Sequence, residues 1–221
     1  THKGNGQKRY SSMNPSIATI DTDGNVTIHN GGSATFKVEL AESANYLADS
    51  KEVTVTIKAV DNILTVEKIN YKGTYGDAPF RIVASANGAE LTYSSSASAV
   101  ASVDETGLVT PGKVGDATIT ITAGENATYH TVSKDITVTV VKKKITISGI
   151  TADTRAYDGT AVATLNYDAV RYDGIQPNDV LSITATGTFA DKNAGQNKRV
   201  AITDLHLGGS SVGNYELAEV Q

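Results

Sequence analysis

The most constraining feature of this sequence is that it repeats itself. Setting residue n against residue n+83 aligns Ile17-Ala18-Thr19-Ile20-Asp21 with Val100-Ala101-Ser102-Val103-Asp104, and the register runs without a gap to Ile57 and Val140. Along it Gly24 meets Gly107, Val26-Thr27 meets Val109-Thr110, Gly32 meets Gly115, Tyr46 meets Tyr129, and Thr54-Val55-Thr56 meets Thr137-Val138-Thr139. Self-similarity at a fixed offset means that one structural unit is used twice. The match reaches back to Tyr10-Ser11-Ser12 against Tyr93-Ser94-Ser95, but the second copy has a further stretch ahead of that point, beginning near Asp61. The first copy therefore reads as truncated at its N-terminus.

Within each copy the pattern is β. Ala34, Phe36, Val38 and Leu40 alternate with Thr35, Lys37 and Glu39, and Val53, Val55 and Ile57 alternate with Thr54 and Thr56. Period-two alternation rich in β-branched residues describes half-buried strands. Turns fall at Asp21-Thr22-Asp23-Gly24 and Asp104-Glu105-Thr106-Gly107, where Gly and Asp supply the conformations a tight reversal needs. From Lys142 the pattern changes. Ile145 and Ile147 open a strand, Ala156-Tyr157-Asp158-Gly159-Thr160 makes a turn, and strands follow at Leu181 to Ala185, Arg199 to Leu207 and Tyr215 to Leu217. A chain of 221 residues is too long for one sandwich of about 100 residues. The reading is all-β: tandem antiparallel β-sandwich modules in series, with boundaries 1–60, 61–141 and 142–221.

Composition narrows the function. A formal net charge of −5 with one basic run, Lys142-Lys143-Lys144, does not make a polyanion-binding surface, so no nucleic-acid partner is expected. That run sits between two β-rich segments and reads as a solvated junction. The absence of cysteine removes thiol catalysis, thiolate metal sites and disulfides together. No apolar run approaches the roughly 20 residues of a membrane helix, so direct membrane insertion is not expected. The fragment reads as soluble, with export signals absent or already removed.

Two resemblances rest on particular residues. The stretch VASVDETGLVTPGKVGDATITITA (100 to 123) with DITVTV (135 to 140) resembles the bacterial immunoglobulin-like group 2 domain, and residues 17 to 57 resemble a diverged instance of it. AYDGT (156 to 160), FADKNAGQNKRV (189 to 200) and VGNYELA (212 to 218) resemble the YDG domain of bacterial surface and filamentous-adhesin-like proteins. The group 2 resemblance implies that the tandem antiparallel β-sandwich modules are immunoglobulin-like, and both resemblances imply extracellular modules strung in series in cell-wall, adhesin or secreted proteins. Neither implies a ligand.

Each motif that suggests chemistry has a plainer reading. Gly107 to Val114 nearly spells a P-loop, but Val114 stands where a magnesium-binding Ser or Thr belongs and no helix follows. Asp21-Thr22-Asp23-Gly24-Asn25 resembles the opening of a calcium loop, with its Gly too early for an EF-hand. Asp153, Asp158, Asp168, Asp173, Asp179, Asp191 and Asp204 would make a cation site only by converging at one end of the sandwich; solvated turn aspartates are the simpler account. His2, His29, His130 and His206 lack metal-ligand spacing, and the serines lack a neighbouring His and acid.

The expectation is a non-enzyme with no cofactor and no metal site: an extracellular stalk segment at the bacterial cell surface or in a secreted protein. Two alternatives stand beside it, an accessory carbohydrate-binding region of a secreted enzyme and an adhesive module for a host or cell-wall glycan or protein. For the latter, Tyr167, Asp168, Arg171, Tyr172 and Asp173 form the ligand-binding cluster to examine. The chain is expected to be monomeric, with an open sheet edge on the first module available for strand pairing.

Overall fold

A computed structural model describes residues Gly6 to Ala218; His2 lies outside them. The first copy contributes β1 (Lys8–Ser12), β2 (Ala18–Ile20), β3 (Val26–Ile28), β4 (Gly32–Leu40) and β5 (Asp49–Ile57). The second contributes β6 (Val60–Asp61), β7 (Leu64–Val66), β8 (Asn70–Thr74), β9 (Phe80–Arg81), β10 (Ala84–Ala86), β11 (Leu91–Ser95), β12 (Ala101–Val103), β13 (Leu108–Pro111), β14 (Gly115–Ala123), β15 (Tyr129–His130) and β16 (Val132–Val141). The remainder holds β17 (Lys143–Ser148), β18 (Thr151–Ala152), β19 (Val162–Ala163), β20 (Leu165–Asn166), β21 (Arg171–Asp173), β22 (Ser182–Phe189), β23 (Val200–Gly208) and β24 (Tyr215–Leu217). The described residues are all-β apart from one short 3₁₀ turn, Val212–Asn214.

Two compact units result. The first gathers Thr1–Lys68, Ile82–Ser94 and Thr120–Asp135; the second gathers Ile69–Arg81, Ser95–Ile119 and Ile136–Gln221. In the first unit β4 lies between β1 and β5, with Tyr10 opposite Val38 and Phe36 opposite Val53, while β2 and β3 form a separate hairpin. Ala18, Ala34 and Phe36 are buried there, with Ile17, Ile20 and Ile57 packed against them. In the second unit β8 runs parallel to β16, from Asn70 opposite Thr137 to Thr74 opposite Val141. There β13 pairs with β12 on one side and β9 on the other. Further along the same unit β17 pairs with β21 and, in parallel, with β24, while β22 pairs with β19 and β23.

The repeat holds at the level of single hydrogen bonds. Ser12 Oγ donates to Ala18 O at 2.6 Å, and its counterpart Ser95 Oγ donates to Ala101 O at 2.6 Å. Asp21 Oδ1 accepts the backbone N–H of Asp23 and Asn25, as Asp104 Oδ1 accepts those of Thr106 and Leu108. These bonds favour the ionised carboxylate and hold both aspartates below their ordinary pKa; the first cause is the Asn25 side chain for Asp21 and the Thr106 hydroxyl for Asp104. Each turn closes on a glycine in the left-handed region, Gly24 at φ 88° and Gly107 at φ 75°, where a side chain would be strained. The calcium-like reading of Asp21 to Asn25 thus gives way to an aspartate that folds its own turn.

Candidate functional site

The cluster singled out in the sequence divides by strand geometry. Arg171, Tyr172 and Asp173 lie on β21, opposite Ser148, Ile147 and Thr146. Arg171 and Asp173 are exposed, and between them Tyr172 is half-buried, with burial raising its hydroxyl pKa. Tyr167 uses its hydroxyl on the chain itself, accepting from Ala185 N at 3.0 Å and donating to Ala185 O at 3.3 Å. Asp168 is exposed, and its N–H donates to Asn166 Oδ1.

A second arrangement was not singled out in the sequence. The turn at Tyr157 to Thr160 and the loop at Asp191 to Lys198 line one open cleft of about 600 Å³ in the second unit. Gly159, at φ 77°, turns the first of these loops. Arg155 fixes it by donating to Thr160 O at 2.8 Å, pairing with Asp158, and lying 5.6 Å from the centre of the Phe189 ring. The Arg155 guanidinium, with the Thr160 N–H and hydroxyl, lowers Asp158 to a pKa of about 2. Lys198 fixes the other loop by pairing with Asp191 and donating to Asn193 O at 2.6 Å. Tyr157 stands free in the cleft with 69 % of its surface exposed.

The third arrangement joins the second copy to the segment after it, wholly inside the second unit. Asp179 accepts hydroxyl donors from three separate places: Tyr75 at 2.9 Å, Ser211 at 3.0 Å, and Tyr215. Tyr215 is buried, accepts Gln176 N at 2.9 Å, and meets Tyr75 edge to face at 5.4 Å. Val114 N donates to Asn214 Oδ1 at 3.2 Å beside them. Burial opposes the charge on Asp179, but the three hydroxyls outweigh it and its pKa falls below the ordinary carboxylate value. Burial and the neighbouring carboxylate push the Tyr215 hydroxyl up to about 12. An ionised carboxylate with its donors supplied this way is a strong, directional clasp.

No group of three or more His, Asp or Glu among the described residues is arranged to hold a metal ion. The loop aspartates are instead spread among their own partners: Asp158 with Arg155, Asp191 with Lys198, Asp179 with the tyrosines. No helix among the described residues is long and apolar enough to cross a membrane.

Family models match the chain in order: the intimin immunoglobulin-like domain over residues 2–42, the bacterial Ig-like domain (group 2) over 81–132, and the YDG domain over 141–221. The YDG match takes in both loops of the cleft and, with Asp179, Ser211 and Tyr215, most of the clasp. The first segment, which by sequence resembles group 2, meets the intimin model instead. No curated protein sequence matches the chain. Among solved structures, domains 4 and 5 of the S-layer protein SbsC match at 24 % identity and TM-score 0.31, covering 61 % of this chain and 70 % of that one. Domains 4–9 of the same protein match at 20 % identity and TM-score 0.33, over 92 % of this chain, which spans 36 % of that structure. Drosophila N-cadherin EC1-3 matches at 10 % identity and TM-score 0.40, over 92 % of this chain and 78 % of that one.

Proposed function

We propose that this chain is a non-catalytic structural segment of a bacterial cell-surface or secreted protein, a spacer whose second copy is clasped to the segment that follows it. The observation that carries this reading is the clasp itself. Asp179 takes hydroxyls from Tyr75 on the second-copy side and from Ser211 and Tyr215 on the other. A spacer needs joints that resist bending, and a flexible tether needs no such network. The modules matched by family support the same reading, since repetition of small β-units in series is how extended proteins gain length.

The test is Asp179→Ala with ¹⁵N relaxation read on β8 and β9 and on β22 and β23. The native chain is expected to give these strands one correlation time and the variant two, with a loss of about 1–3 kcal/mol for the orphaned hydroxyls. Unchanged coupling in the variant would remove the clasp as the basis of the spacer. The same joint should respond to pH. A carboxylate with a depressed native pKa stabilises the fold above its unfolded pKa of about 3.9, and that contribution is lost as pH falls through the lower native value. The native joint is therefore expected to hold at neutral pH and loosen only below about pH 4.

A second reading, an adhesive module for a host or cell-wall glycan or protein, is favoured by the free Tyr157 ring in the polar cleft. A tyrosine ring set among side-chain amides and charged groups offers a sugar both a stacking face and hydrogen bonds. On a glycan array and a panel of matrix proteins, Tyr157→Ala is expected to weaken any saturable hit about tenfold. Loss on Arg171→Ala and Tyr172→Ala instead would move the site to β21, and uniform silence of the native chain would retire the adhesive reading.

A further inference from the structure

The two copies share a hydrogen-bonded frame but differ in what covers it. In the first copy Ile20, Val26, Ile28, Phe36, Val38, Val53, Val55 and Ile57 line an open, wholly apolar groove of about 360 Å³. Val26 is 48 % exposed, Ile28 60 % and Val55 44 %, whereas Val109 and Val138, which occupy the places of Val26 and Val55 in the second copy, are 0 % and 1 % exposed. Apolar residues patterned for a core stand in the open.

Strand order accounts for the difference. In the second copy β16 carries β8 alongside it and β13 carries β9. Their counterparts in the first copy, β5 and β3, end their sheets with those edges unpaired among the described residues. The second copy thus has one segment, Ile69–Arg81, that runs parallel along β16, crosses, and pairs antiparallel with β13, bringing the stacked rings of Tyr71 and Phe80, 4.7 Å apart. The first copy has both docking edges and the apolar floor between them, and among the described residues no such segment pairs with either edge.

We propose that this groove seats one further β-segment of the Ile69–Arg81 kind, parallel to the free edge of β5 and antiparallel to β3. The internal repeat identifies the occupant, because the same frame in the same chain is closed by that segment. The inference is independent of the Asp179 clasp, which lies in the other compact unit.

The experiment duplicates Asp61–Val83 directly ahead of Thr1, where the repeat register places it, and reads amide hydrogen exchange at Val26, Thr54 and Thr56, the last two being the counterparts of Thr137 and Thr139, of which Thr137 N donates to Ile69 O. Exchange at these amides is expected to slow by about tenfold or more, with loss of apolar-dye binding by the chain. Unchanged exchange in a folded chimera overturns the proposal. So does concentration-dependent self-association of the original chain that protects the same amides, which would make a second copy the occupant. Should the chimera not fold, a synthetic Ile69–Arg81 peptide titrated into the unaltered chain is expected to give saturable NMR shifts confined to β3, β5 and their neighbours in the groove. Those shifts should vanish in Val55→Asp; their absence in the native chain, or their persistence in the variant, overturns it.

Discussion

Tyr215→Ala is expected to unfold the segment that matches the YDG model and uncouple it from the second copy in one step, at a cost of about 3–5 kcal/mol. The ring is 1 % exposed on β24, the strand that closes the sheet against β17. Its hydroxyl both donates to Asp179 and accepts Gln176 N. Removing the side chain therefore opens a cavity, orphans a half-buried N–H and takes one donor from the carboxylate together. Tyr215→Phe separates these effects. It keeps the ring and loses the hydroxyl, and should cost about 1–2 kcal/mol. A double-mutant cycle with Asp179→Asn should then return a coupling energy well above zero. Urea unfolding followed at strands of this segment checks all three variants, and a Tyr215→Ala protein as stable as the native one would refute the assignment of Tyr215 to the core.

The second large effect lies in the contrast between the two copies. Ile136→Ala is expected to destabilise the second copy by about 2–5 kcal/mol, because the side chain is 1 % exposed and its removal leaves a void. The equivalent change in the first copy, Val53→Ala, should cost less than about 1 kcal/mol, because Val53 lies along the open groove and half its surface is already in water. Thermal unfolding of the two variants, with site-resolved probes in each copy, measures the difference directly. Equal losses would mean that the groove is closed in solution.

Much of the fold could be read from the sequence, for identifiable reasons. The offset of the repeat fixed which strands correspond, and β4 and β14 end at matching positions, Leu40 and Ala123. Period-two alternation marked Ala34 to Leu40 and Val53 to Ile57 because those strands have one apolar face. Asp and Gly marked the turns through local bonds, as at Asp104 to Leu108. The state of the first-copy face was not legible in the same way. Alternation shows which side of a strand is apolar, and only the strands that pair beside it decide whether that side is covered.

The clasp was hidden for another reason. Asp179 looked like one of several turn aspartates, since its donors Tyr75, Ser211 and Tyr215 are far from it or from one another in the sequence. No local pattern registers a carboxylate whose partners meet only after folding. Tyr157 was legible as part of the AYDGT turn, but its exposure was not, because that depends on where the Asp191 to Lys198 loop comes to rest.

The strand directions also determine how the second unit answers a pull along the chain. The early strand β8 and the late strand β16 of the second copy lie side by side in parallel, and so do the first and last described strands of the segment that matches the YDG model, β17 and β24. Only Lys142 separates β16 from β17. Tension between the ends of either pair drives its strands to slide past each other lengthwise, so their cross-strand bonds are loaded in shear and must give way together rather than peel apart one at a time.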